Sequence, residues 1–153
     1  MTRLSLAALL CLFAVPALAD GRATPVTDPQ TLKACGECHM TFQPAFLPAR
    51  SWERVMDGLG THFGDNAAMP PEKTAAIRKV LVAGAGDGAA GGRLGGKWMR
   101  RLPADAAPLR ITDHPAFARK HDFSPAVWKK PEVVTKSNCP ACHKTAEQGW
   151  YED

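Results

Sequence analysis

Cys35-Gly36-Glu37-Cys38-His39 and Cys139-Pro140-Ala141-Cys142-His143 repeat one pattern, C-x-x-C-H, 104 positions apart. In a turn of helix, positions i and i+3 share a face, so both thiols can add to the two vinyl groups of one porphyrin while the histidine at i+4 faces its iron. Each pattern therefore predicts a covalently attached c-type haem. Cys35, Cys38, Cys139 and Cys142 are the expected thioether anchors, and His39 and His143 the proximal ligands. A shared zinc, structural disulfides or a redox dithiol would also use four cysteines, but the zinc reading leaves both following histidines as coincidences. The fifth cysteine, Cys11, precedes both motifs in a leader-like segment, so no thiol is left over.

What such irons do depends on their sixth ligands. Three further histidines, His62, His114 and His121, are available for two open positions. His62 lies in Leu59-Gly60-Thr61-His62-Phe63-Gly64, on a loop that the preceding helix would deliver to the first haem. Met69-Pro70 is its competitor, although Met69 also reads as a core residue ahead of a helix. For the second haem, His114 and His121 are seven residues apart, roughly 10 Å along a helix, so only one reaches a given iron. His121 falls one turn after Phe117 on the same stripe, whereas Pro115 pushes His114 toward an extended cap conformation. The reading favours His62 and His121, with Met69 and His114 as alternatives.

The elements that must position these residues read as short helices separated by loops, without strand alternation. Asp28-Pro29 forms an N-cap and N1 pair for a helix entering the first motif. Ser51 is the expected cap of a second helix with a buried stripe at Trp52, Val55, Met56 and Leu59, ended by Gly60. Pro70-Pro71 begins a third, with Ile77, Val80 and Leu81 inward. Asp113 is the expected cap of a short helix from His114 to about Asp122, and residues 124–138, with Pro125 and Pro131, read as mostly irregular.

Residues 1–19 read as a secretory leader: Arg3, an apolar run from Leu4 to Val15, then Ala17-Leu18-Ala19 before Asp20. That run is shorter than the ~20 residues of a membrane span. A lipid anchor at Cys11 is disfavoured by the bulky Leu9-Leu10 before it. The expected location is the periplasm. Residues 84–97, GAGDGAAGGRLGGK, hold seven glycines in fourteen positions and read as a flexible linker. The expected organisation is two small haem-cored domains, 20–83 and 98–153, each too small for a protein core alone to be more than marginally stabilising.

Charge excludes little beyond nucleic-acid binding. Without the leader the chain has 18 Lys+Arg (19 less Arg3) against 15 Asp+Glu, a formal +3 that haem propionates bring close to neutrality. Pairs such as Arg100-Arg101, Arg119-Lys120 and Lys129-Lys130 suit solvated faces, propionates or an acidic redox partner.

These segments resemble the small dihaem cytochromes c. The resemblance rests on the two haem motifs, on Leu47-Pro48-Ala49-Arg50-Ser51-Trp52 leading to His62-Phe63-Gly64, and on Arg110-Ile111-Thr112 leading to Arg119-Lys120-His121. It implies a mainly α fold, with an N-terminal half like a small single-haem cytochrome c and a C-terminal half largely irregular. It also implies two histidines on each iron, which places His62 and His121 as sixth ligands. The implied role is electron transfer rather than catalysis; separately, a monomer without a membrane span is expected. A small oxygen-binding monohaem cytochrome is the implied acceptor, and a membrane quinol-linked protein the donor. A gas-binding or small-substrate-reducing haem protein, with one iron open or weakly ligated, is the alternative class. Two imidazoles on each iron would favour the ferric state and hence low potentials.

Overall fold

The computed structural model describes residues 22–151, and the expected leader lies outside them. The fold is mainly helical, with no strand among the described residues. Six helices follow in order: α1 Pro29–Gly36, α2 Ala49–Asp57, α3 Pro71–Ala83, α4 Gly92–Met99, α5 Pro115–Lys120 and α6 Pro125–Trp128, with one 3-10 turn in each connection as far as α5 and two after α6.

Helix α1 starts as its sequence dictates. Asp28 Oδ2 accepts from the Thr31 N–H and hydroxyl, each at 2.7 Å, and Pro29 needs no donor at N1. Helix α2 begins two residues before the expected Ser51 cap. Its cap comes from across the chain, where Asp87 Oδ1 accepts from Ala49 N–H at 2.8 Å, and Ser51 is buried within the first turn. Gly58, not Gly60, ends it, and a 3-10 turn Leu59–Thr61 carries the chain on to His62. The inward faces of α2 and α3 meet, but Val55 and Val80, expected in the stripes, are only half-buried and stand outside the cluster. Trp52, Met56 and Leu59 pack with Ile77 and Leu81 in one buried cluster, completed by Leu47 and Ala85.

A second cluster joins the two halves. Ala23 and Phe46 from the N-terminal half pack with Trp98, Ala116 and Phe117 from the C-terminal half. Phe46 meets Trp98 at 4.7 Å and Tyr151 at 5.0 Å between ring centres, both edge-on. Beside it the buried Gln43 side chain donates to the Ala146 carbonyl at 2.8 Å and accepts from the Tyr151 hydroxyl.

The glycine-rich segment departs from the flexible-linker expectation. Residues 84–97 fold into a 3-10 turn, Ala89–Gly91, and most of α4, and Gly91, Gly95 and Trp98 are buried. The reason is close backbone approach. A Cβ on Gly91 would meet the Ala85 carbonyl at 2.5 Å, and one on Gly95 would meet Gly86 Cα at 2.8 Å. Arg50 holds the loop beyond α4, with Nε donating to the Ala106 carbonyl at 2.8 Å.

Candidate haem-binding site

Each C-x-x-C-H motif has one partner imidazole facing its histidine. The ring centres of His39 and His62 lie 6.3 Å apart, with planes at 23°. Those of His143 and His121 lie 6.0 Å apart, with planes at 81°. Two imidazole nitrogens on opposite sides of one metal ion are about 4 Å apart, and each ring centre lies roughly an ångström further back. Both separations are those of a pair of imidazoles sharing one iron. The residues therefore fit a six-coordinate haem iron at each motif.

Hydrogen bonding fixes the tautomers that such ligation needs. His39 Nδ1–H donates to the Met40 carbonyl at 2.7 Å, and His121 Nδ1–H donates to the Phe117 carbonyl at 3.0 Å. A carbonyl only accepts, so the proton sits on Nδ1 and the lone pair on Nε2. Burial lowers the pKa of both His62 and His121. The neighbouring His39 and Arg110 charges act in the same direction on His62, against Asp65, and on His121 the Phe117 carbonyl partly opposes burial. Both imidazoles are thus neutral near pH 7, as a metal ligand must be.

The local folds that present these rings differ. His62 ends the turn after α2, where Phe63 and Gly64 take φ of 53° and 109° and the chain closes with Asp65 N–H donating to the His62 carbonyl at 3.1 Å. His121 follows the last residue of α5, with its ring stacked on Phe117 at 4.0 Å and 11°. The two motifs are also unlike. Cys35 lies in the last turn of α1, but Cys139–Ala141 is a single 3-10 turn, so the second motif is not the helical turn its spacing predicts.

The competing residues make other contacts. Met69 packs against the first cluster. His114, not Asp113, caps α5: its Nδ1 accepts from Ala116 N–H at 3.0 Å, and its ring is fully buried 5.0 Å from that of Trp98. The other uses of the cysteines also find no support. Among the described residues no three His, Cys, Asp or Glu gather as a metal cluster, and all four cysteines are free of disulfides. Burial raises the Cys35 thiol and pushes Cys139 to about 11, against the low pKa a redox dithiol requires.

The supporting residues around these rings were not evident from the sequence. Phe42 lies 4.9 Å from His39 and Tyr151 5.4 Å from His143, while the Arg110 guanidinium sits 4.0 Å over Phe63. Only the Arg110 segment carried a signal, as part of the family resemblance.

Residues 31–151 match the family model described as dihaem cytochrome c. No curated protein matches the chain. Among solved structures, a diheme cytochrome c from Rhodobacter sphaeroides is 41% identical, with a TM-score of 0.74 over 83% of this chain and 98% of that one. The diheme cytochrome c of Shewanella baltica OS155 is 33% identical, with a TM-score of 0.64 over 81% of this chain and 86% of that one.

Proposed function

Because the chain belongs to the dihaem cytochrome c family, an electron-transfer family with two covalent c-type haems, we propose that it is a periplasmic electron carrier in which His39 with His62, and His143 with His121, fill both axial positions of the two irons. Each bound haem supplies a one-electron ferric/ferrous couple. The observation that carries the reading is the pairing of imidazole rings at 6.3 Å and 6.0 Å.

Cys35, Cys38, Cys139 and Cys142 retain the cofactors whatever the charge on iron. Four imidazole ligands leave no axial position for a substrate, which favours a carrier over an enzyme, and they favour ferric iron, which sets the potentials low. The leader-like residues 1–19 support export, and among the described residues no helix is long and apolar enough to cross a membrane. The partners are redox proteins, with a small oxygen-binding monohaem cytochrome as acceptor and a membrane quinol-linked donor. The carrier acts as a monomer.

The test replaces ligands singly in full-length holoprotein. His62→Ala and His121→Ala should each convert one of two irons to high-spin and admit one carbon monoxide per molecule after reduction. Met69→Leu and His114→Asn should leave both low-spin. Wild-type protein that binds carbon monoxide rapidly and stoichiometrically would overturn the carrier reading in favour of gas binding or catalysis.

A further inference from the structure

The two imidazole pairs differ in one respect that their common ligand type does not require. The first pair is close to parallel, at 23°, and the second is close to perpendicular, at 81°. Rotation of an imidazole about its bond to a metal has little intrinsic preference, so packing decides these angles.

At the second site the packing centres on one residue. The His121 ring lies flat on Phe117, at 4.0 Å and 11°, while its Nδ1–H is held by the carbonyl of that same residue. Phe123 stands edge-on to it at 5.9 Å and 83°, and Trp128 lies tilted against it at 6.2 Å. Phe117 is itself immobilised, being 6% exposed in the second cluster. Across the site, His143 rests against Tyr151, whose hydroxyl is bonded to the buried Gln43.

We propose that Phe117 is a positioning residue that sets His121 across His143, so that the chain carries one haem with nearly parallel axial imidazoles and one with crossed imidazoles. The proposal rests on the two-histidine ligation argued above. Its consequence is electronic. An imidazole donates from the filled π orbital perpendicular to its ring, into whichever iron d orbital lies along that direction. Parallel rings both act on one d orbital and separate it from its partner; crossed rings act on one each and leave the two nearly degenerate. Ferric low-spin iron with split orbitals gives a resolved rhombic paramagnetic resonance spectrum. Near-degenerate orbitals keep orbital angular momentum and give a single strongly low-field feature.

Paramagnetic resonance of the ferric full-length holoprotein near liquid-helium temperature reads this directly. The wild type should show both signals in equal spin amounts. Phe117→Leu, which keeps apolar bulk but removes the flat face, should take intensity from the low-field feature toward a rhombic or broadened signal, with the first site's rhombic signal unchanged. Phe117→Tyr, which restores the face, should restore the low-field feature. If Phe117→Leu fails to retain two haems, Phe117→Met replaces it. Two rhombic signals in the wild type, or a low-field feature indifferent to loss of the ring, would overturn the proposal while leaving two-histidine ligation standing. A high-spin signal in the wild type would instead overturn the ligation beneath it.

Discussion

The two haem sites solve one coordination problem with different amounts of protein. The first lies beside α1, α2 and α3, and the buried residues of its nearby cluster, from Leu47 to Ala85, all precede α4, with the half-buried Ile111 reaching it from the C-terminal half. The second is presented by a six-residue helix, a four-residue helix and single 3-10 turns, and its cluster includes Ala23 and Phe46 from the other half. The difference teaches which half can stand alone. A short segment without its own core must gain stability from a bound apolar group and from a neighbour, and the C-terminal half uses both.

The largest effect should come from separating them. Residues 20–88, which keep Ala85 and the Asp87 cap of α2, should mature as a one-haem protein with a cooperative thermal transition. Residues 98–153 alone lose Ala23, Gln43 and Phe46, and should yield little or no haem protein when expressed with the same maturation machinery. Mass spectrometry and haem staining after denaturing electrophoresis read both. Equal haem content in the two fragments would break the asymmetry and restore the expectation of two independent domains.

Acid should find the same half first. Burial holds the His114 pKa down to about 4 from an ordinary 6.5, and among the described residues it is the only ionisable side chain with no exposed surface. Its folded value is depressed, so the unfolded chain takes up a proton that the folded one refuses. The stability from neutral His114 is therefore complete above about pH 6.5 and lost as pH falls toward 4, with a limit on the order of 3 kcal/mol. His114→Asn keeps an N-cap acceptor for Ala116 but does not titrate. It should flatten the acid limb of a melting-temperature against pH curve. An unchanged limb would place the acid sensitivity elsewhere.

The joint between the halves is the next test. Gln43→Leu removes the group that serves both the Ala146 carbonyl and the Tyr151 hydroxyl, and stranding such buried polar atoms costs about 1–3 kcal/mol. Denaturant unfolding should show that loss, and the second haem's absorption should respond before the first.

Much of this was legible in the sequence because the decisive signals are local. Two fixed motifs, the Asp28-Pro29 start and the stripes of α2 and α3 depend on neighbours within a few positions. Phe117 and His121 were recognisable as one stripe for the same reason. What was illegible depends on distant partners. The start of α2 is set by Asp87, thirty-eight positions from Ala49, and no pattern around Ser51 reveals it. The second motif has helical spacing but folds as a 3-10 turn, since C-x-x-C-H constrains the residues that meet a haem and not the turn that presents them.

Glycine content is the sharpest case, because composition alone cannot separate glycine used for freedom from glycine used for contact. Helix α4 holds both kinds side by side, which gives the most discriminating prediction. A Cβ on Gly95 meets Gly86 Cα at 2.8 Å and its carbonyl oxygen at 2.9 Å, backbone atoms that cannot step aside. A Cβ on Gly96 meets nothing within 4 Å. Gly95→Ala should therefore destabilise the protein by about 1–3 kcal/mol through overpacking. Gly96→Ala should stabilise it by up to about 1 kcal/mol, because alanine loses less conformational freedom in a helix. Thermal denaturation of the two holoproteins, with haem content confirmed at two per chain, measures opposite signs from adjacent positions. A flexible linker would respond to neither change, so two null results would show that residues 84–97 only connect the halves.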